Sequence, residues 1–195
     1  MSKLIEGDMK PAGPEIVMRK PIFIFDIDRV LFDTERFYAT NFTEYMGYPG
    51  DAESLNALRR LGRLVIFSEI LEKDPRDFQL KKLRRLGFIE HFEDEDIHIH
   101  NKKMSKLAEI LRRYGGLIFL IDDNPEIIEE AKRLAELDKG KNYELVVVWM
   151  KRGNYAKKAE EEGRAWTFSP DETVSSLEKL VAKVNERLGA QNPTV

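Results

Sequence analysis

The 195-residue chain contains no cysteine, which excludes disulfide staples and thiolate-held metals or clusters. No apolar run approaches the roughly 20 residues of a membrane-spanning helix, so no membrane partner is expected. Charge of one sign is not in excess either. Lys and Arg number 32 against 35 Asp and Glu, a net charge of -3, and neither half carries the basic stripe of a nucleic-acid binder. Eight prolines and twelve glycines are too few for a disordered or repetitive chain, and no internal repeat is visible. The first 20 residues lack the continuous apolar core and small-residue cleavage site of a secretory signal. These absences leave a soluble, cytoplasmic protein as the expectation. Its 34% charged content, rich in Lys, Arg and Glu, resembles a thermophile's usage.

What is present alternates. Ile22 to Ile27, Leu64 to Phe67, Leu117 to Ile121 and Leu145 to Trp149 are short apolar runs rich in β-branched and aromatic residues, and a weaker one spans Ile97 to Ile99. Between them lie helical segments with readable ends. Asp74-Pro75 and Asn124-Pro125 pair an N-cap with a first-turn proline, and Gly87 stops the first of these helices. Ser169 with Glu172 reads as a capping box opening a last helix that Gly189 closes. Strand followed by helix, repeated, predicts an α/β fold: a Rossmann-like parallel sheet of about five strands with helices on both faces, a three-layer sandwich. The expected organisation is a tail over 1–20, one domain over 21–190 and a short tail over 191–195.

In such a sheet the ligand crevice lies beyond the carboxyl ends of the strands. Those ends are polar here. The first run closes in Asp26 and Asp28, the second in Ser68 and Glu69, the third leads through His100 and Asn101 to Lys102 and Lys103, and the fourth closes in Asp122, Asp123 and Asn124. Four carboxylates gathered without a cation would repel one another, and an isolated buried one is costly. A hard oxygen cluster of this kind suits magnesium with several of its waters retained. One carboxylate could then attack a phosphoryl group and a second could protonate the departing oxygen, which is phosphoryl transfer through an aspartyl phosphate.

These stretches resemble the haloacid dehalogenase superfamily of phosphohydrolases. The likeness runs from about Pro21 to about Leu188 and rests on DIDRVLFDT, VIFSE, HNKK before a helix, and LIDDNPEI, in that order, with DFQLKKLRRLGFIEHFE following the second motif as in many members. A lone DxD is common; four motifs at successive strand ends are specific. The resemblance implies Asp26 as nucleophile and Asp28 as general acid and base, with the Asp28 backbone carbonyl also on the metal. It implies Ser68 and the backbone N–H of Glu69 on the phosphoryl oxygens. It calls for a lysine holding Asp26 and the phosphate, for which spacing leaves Lys102 and Lys103, with Lys102 preferred. Asp123 would ligate magnesium directly and Asp122 through water or from behind it.

Two departures stand out. Arg29 occupies the position where the first motif usually has glycine, and Ile127 stands where some members carry a further aspartate. Asp28 favours phosphate chemistry over dehalogenation, because the resembling dehalogenases lack an acid there. Only about 35 residues separate Asp28 from Leu64, too few for a large cap, so a minimal cap or small helical flap is expected near 33–62. Within it Thr34 to Met46 spaces Phe37, Tyr38, Phe42 and Tyr45 like a helix, with Phe37 and Phe42 read as core, and Asp51 to Leu61 reads as a second helix. Asp33 reads as an N-cap, residues 157–164 as a charged helix face, and EDED at 93–96 as a solvated turn. His91, His98 and His100 do not form a compact ligand set. The expected activity is a magnesium-dependent phosphatase acting on a phosphorylated small molecule or phosphoprotein. The alternatives are a phosphotransferase or phosphomutase using the same intermediate, and a noncatalytic module of the same fold.

Overall fold

The computed structural model describes residues 20–70 and 76–191. The N-terminal tail as far as residue 19, the expected helix start at Asp74-Pro75 and residues 192–195 lie outside them. In chain order the elements are β1 (Ile22–Phe25), α1 (Thr34–Ala39), α2 (Asp51–Leu61), β2 (Arg63–Glu69), α3 (Arg76–Leu86), β3 (Ile97–His100), α4 (Lys103–Tyr114), β4 (Gly116–Asp122), α5 (Pro125–Leu137), β5 (Tyr143–Met150), α6 (Gly153–Glu161), β6 (Glu172–Val174) and α7 (Leu177–Gln191). The strands form one six-stranded sheet in the order β3-β2-β1-β4-β5-β6, and every pairing is parallel.

Alternation along the strands sends side chains to both faces, so each face needs its own helical layer. Phe23, Phe25, Ile66, Phe119, Ile121 and Val148 meet Leu55 and Leu58 of α2, Leu83 of α3 and Leu180 and Val184 of α7. On the other face Ile24, Val65, Phe67, Leu120 and Val147 meet Leu107 and Leu111 of α4, Ile128 and Ala131 of α5 and Ala156 of α6. A three-layer α/β sandwich results, as the strand-helix alternation implies. β1 pairs with β2 on one side and β4 on the other, so the chain order reverses direction at β1 and leaves a crevice beyond its carboxyl end.

The sheet has six strands where about five were expected, the sixth being only three residues long. Local expectations need correction: Glu172 lies in that strand rather than in a capping box. The last helix is capped by Ser176, whose Oγ accepts the Lys179 N–H at 3.2 Å, and it runs through Gly189 to Gln191. Helix α1 ends at Ala39 instead of reaching Met46. The Thr40 hydroxyl turns back to donate to the Arg36 carbonyl at 3.0 Å, and Asn41 and Phe42 take left-handed φ of 51° and 65°. That turn carries Phe42 outward, so Phe37 is core at 2% exposure while Phe42 is 60% exposed. Within EDED the turn forms, but Asp96 is buried and accepts from Arg63 Nε at 2.6 Å and the Tyr114 hydroxyl at 2.8 Å. Helix α2 falls on the expected residues, and Asp33 caps α1 by accepting the Arg36 N–H at 2.9 Å.

Candidate active site

At the end of β1 the Asp26 N–H still bonds the Ile121 carbonyl of β4 at 3.0 Å, which fixes the backbone of its carboxylate. The chain then folds into a tight loop. Leu31 and Phe32 both donate to the Ile27 carbonyl at 2.9 Å, and the Arg29 N–H donates to the Phe32 carbonyl at 2.8 Å. Arg29 accordingly sits at a φ of 60°, the left-handed conformation that favours glycine. The loop separates the two acids: Asp26 faces α4 and Asp28 faces α3.

Lys103, the first residue of α4, is buried, and its Nζ lies 2.7 Å from Asp26 Oδ1 and also donates to Asp122 Oδ2. Burial pulls its ammonium down, and the Asp122 and Asp26 carboxylates more than offset that, holding it above the ordinary lysine range. Lys102 is the helix N-cap, exposed and outside the cavity lining, so the preference for Lys102 is corrected to Lys103. Spacing could not separate them, because a single residue at a strand-helix junction decides which side chain turns inward.

The β4 end is held as firmly. The Asn124 N–H donates to Asp122 Oδ1 at 2.9 Å, so both Asp122 oxygens are engaged. Trp149 Nε1 donates to the Asp123 carbonyl at 3.0 Å and anchors the next residue from β5. Asp123 Oδ2 is buried without a hydrogen-bond partner, and the nearest cation, Arg29 Nη1, stands 3.9 Å away. Burial, then the Asp122 and Asp26 charges, push the Asp123 carboxyl up to about 9. Ser68 at the end of β2 is 1% exposed, and its Oγ also has no partner. Glu69 is exposed at the same edge, where its Oε1 accepts the Lys103 N–H at 3.3 Å.

Asp28 has a partner that the sequence reading missed. Lys82 Nζ of α3 lies 2.6 Å from its Oδ1 and 2.9 Å from its Oδ2. Gln79 Nε2 adds a bond to Oδ2 at 2.9 Å and another to the Glu69 carbonyl at 2.8 Å, while the Thr34 hydroxyl donates to Oδ1 at 2.7 Å. Burial pushes the Asp28 carboxyl up, but Lys82, Gln79 and Thr34 together outweigh it and hold the group below the usual carboxylate range. The signal was in the sequence. Gln79 and Lys82 stand three apart and in line with Leu86 on the core-facing stripe of DFQLKKLRRL, where a solvated lysine does not belong.

Arg29 belongs to a second network. Its Nε donates to Glu35 Oε1 at 2.7 Å, Glu35 accepts the Asn154 N–H at 3.1 Å and Asn154 Nδ2 at 2.6 Å, and the guanidinium lies 4.7 Å over the Tyr155 ring. All these groups except Glu35 and Asn154 surround a cavity of about 270 Å³, to which Ser68, Glu69, Phe78, Tyr38 and Asn124 also contribute.

Among the described residues no three Asp, Glu or His side chains converge as a ready metal cage. The donor set nevertheless fits magnesium, which keeps most of its waters and takes one or two carboxylates. The unpartnered Asp123 Oδ2, buried beside the Asp122 and Asp26 carboxylates, is where a divalent cation would relieve the most charge.

No family model matches the chain, and no curated protein sequence matches it significantly. Solved structures do. A haloacid dehalogenase-like hydrolase from Burkholderia xenovorans LB400 is 19% identical with a TM-score of 0.68, covering 87% of this chain and 99% of its own. The HAD-hydrolase YfnB of Bacillus subtilis, solved bound to magnesium, is 13% identical with a TM-score of 0.59, covering 86% and 99%. The haloacid dehalogenase-like family protein SP0104 of Streptococcus pneumoniae is 12% identical with a TM-score of 0.57, covering 87% and 100%. The chain therefore has the haloacid dehalogenase-like hydrolase fold. No helix among the described residues is long and apolar enough to cross a membrane.

Proposed function

We propose that the protein is a haloacid dehalogenase-family phosphatase that hydrolyses a phosphate monoester through an aspartyl phosphate on Asp26. One observation carries the reading. Lys103 ties Asp26 to Asp122 in a cavity where Ser68 Oγ and Asp123 Oδ2 are buried without partners, so donors and acceptors stand ready for an anion and a cation.

Lys103 fixes one Asp26 oxygen and leaves the other to attack phosphorus. The Ser68 hydroxyl and the Lys103 ammonium offset charge on the phosphoryl oxygens as the bond to the leaving oxygen breaks. Asp28, when protonated, gives that oxygen its proton. In the second half Asp28 takes a proton from water, the water oxygen bonds phosphorus, and the bond to Asp26 breaks to release inorganic phosphate. Asp26, Asp123 and the Asp28 carbonyl would hold magnesium, which supplies further charge neutralisation at the phosphoryl group.

The test is phosphate release from p-nitrophenyl phosphate with magnesium and with a chelator, on the wild type and on Asp26→Asn. Magnesium-dependent release that Asp26→Asn abolishes supports the reading. Transfer of the phosphoryl group to an added alcohol without net phosphate release would instead favour a phosphotransferase.

A further inference from the structure

The cavity discriminates among substrates by what surrounds its mouth, and this step rests on the phosphatase reading above. Five carboxylates line it, Asp26, Asp28, Glu69, Asp122 and Asp123, against three cations, Arg29, Lys82 and Lys103. Each cation is already committed at short range: Arg29 to Glu35 at 2.7 Å, Lys82 to Asp28 at 2.6 Å, and Lys103 to Asp26 at 2.7 Å and to Asp122. Each cation is thus charge-paired with a carboxylate before substrate arrives, and exposed Glu69 at the edge would repel a second anion. Five acids against three cations leave a negative excess that a bound divalent cation would offset, with no positive excess for a second anion.

The rest of the mouth is aromatic. Tyr38 is 54% exposed and Tyr155 44% exposed, two of the few large apolar side chains left open to solvent among the described residues, and both line this cavity together with Phe78. Neither ring is loose. Tyr38 packs edge-on against Phe42 at 5.5 Å, and Tyr155 is held under the Arg29 guanidinium. Rings fixed at the rim of a polar cavity present apolar faces and edges at little entropic cost, which is how aromatic side chains bind flat ligands.

We propose that the substrate is a phosphate monoester of an uncharged alcohol that carries an aromatic or similarly flat apolar group, with that group lying against Tyr38, Phe78 and Tyr155. A second carboxylate or phosphate on the substrate is selected against. The phosphoryl group occupies the inner end of the cavity at Asp26, and the ring fills the outer end.

Three primary-alkyl phosphates with similar leaving groups test this: 2-phenylethyl phosphate, n-butyl phosphate and 2-carboxyethyl phosphate. The expected order of kcat/KM is phenylethyl, butyl, carboxyethyl, with the first step about threefold to tenfold, the scale of one aromatic contact. The phenylethyl-to-butyl ratio falls toward one in Tyr38→Ala and in Tyr155→Ala, whose thermal melting checks that the exposed positions leave the fold intact. Hydrolysis of all three with no aromatic preference, a preference untouched by both substitutions, or carboxyethyl phosphate as the best substrate would each overturn the substrate class while leaving the phosphatase reading standing. Failure to release phosphate from any of them and from p-nitrophenyl phosphate would overturn both.

Discussion

The side chain of Arg29 crosses directly over Gly153: a Cβ at residue 153 would come within 2.8 Å of Arg29 Cδ and 3.0 Å of Glu35 Oε1. Both residues hold left-handed backbone, Arg29 at a φ of 60° and Gly153 at 64°. An arginine in the loop after the two acids thus depends on a glycine 124 positions later, at the start of α6. Gly153→Ala should cost about 1 kcal/mol in backbone strain alone, a melting-temperature drop of roughly 2–4 °C for a chain of this size, and more if Arg29 is displaced. Removing Arg29 first should relieve the steric part. Thermal unfolding of the two single variants and of Arg29→Gly/Gly153→Ala checks this, and strict additivity of the two effects would contradict the dependence. Arg29→Gly by itself should raise KM more than it lowers kcat, because Arg29 holds the Tyr155 ring at the mouth and contacts no reacting group.

Lys103→Met and Lys102→Met should behave oppositely. The first leaves Asp26 and Asp122 buried without their cation, costing about 3–5 kcal/mol of stability, and lowers kcat/KM by roughly 10²-fold or more. The second removes an exposed charge and should leave both stability and turnover near the wild type. Steady-state kinetics with p-nitrophenyl phosphate and a thermal melt on each variant decide the matter. A large kinetic loss in Lys102→Met would reverse the assignment.

Much of the site was legible before the fold was known. Asp26, Asp28, Ser68, Asp122 and Asp123 could be named because each follows an apolar run, and parallel topology brings the ends of such runs to one edge. Lys82 and Gln79 were not, because their role depends on how α3 lies against the first loop, a tertiary fact that helical periodicity only hints at. Tyr155 escaped for a similar reason: it sits in a segment dominated by charge, and the short helix α6 delivers it to the cavity from the far side of β5. The errors at α1 and β6 are local. Helix-spaced aromatics continued past Ala39 while Thr40 and two left-handed residues turned the chain, and a three-residue edge strand offered too little pattern to separate from a capping box.

Lys82→Met should separate substrates by their leaving groups. Lys82, with Gln79 and Thr34, fixes the carboxylate that serves the leaving oxygen in the proposed reaction, and its methionine isostere keeps the packing against Phe32 and Phe78 while removing the ammonium. A p-nitrophenolate leaves without help, whereas an alkoxide needs a proton. Removing the ammonium also lets the Asp28 carboxyl rise from its lowered range, so kcat should change little on p-nitrophenyl phosphate, while on n-butyl phosphate it should fall through the looser placement of Asp28 and its pH profile should shift to higher pH. Equal losses on both would mean that Lys82 acts on the fold or on phosphate binding and not through Asp28.

In the proposed site Asp123 would tie metal binding to stability through pH. Its carboxyl rises from an ordinary value near 3.8 to about 9 in the folded chain, so the native state holds this proton more tightly than the unfolded state does. The stabilisation associated with that proton is fully present below the unfolded value and is lost as pH rises toward the folded one. For the metal-free protein the melting temperature should consequently fall between about pH 4 and pH 9, and Asp123→Asn, which has no proton to lose, should flatten that part of the profile. In the proposed site magnesium would bind the ionised form, and it should then raise the wild-type melting temperature most at the alkaline end, by mass action on the folded state. Melts across this range with magnesium and with a chelator, on both proteins, read the two effects together. A wild-type profile parallel to that of Asp123→Asn would show that Asp123 is already ionised without the metal, and an equal magnesium response in both would move the metal away from this carboxylate.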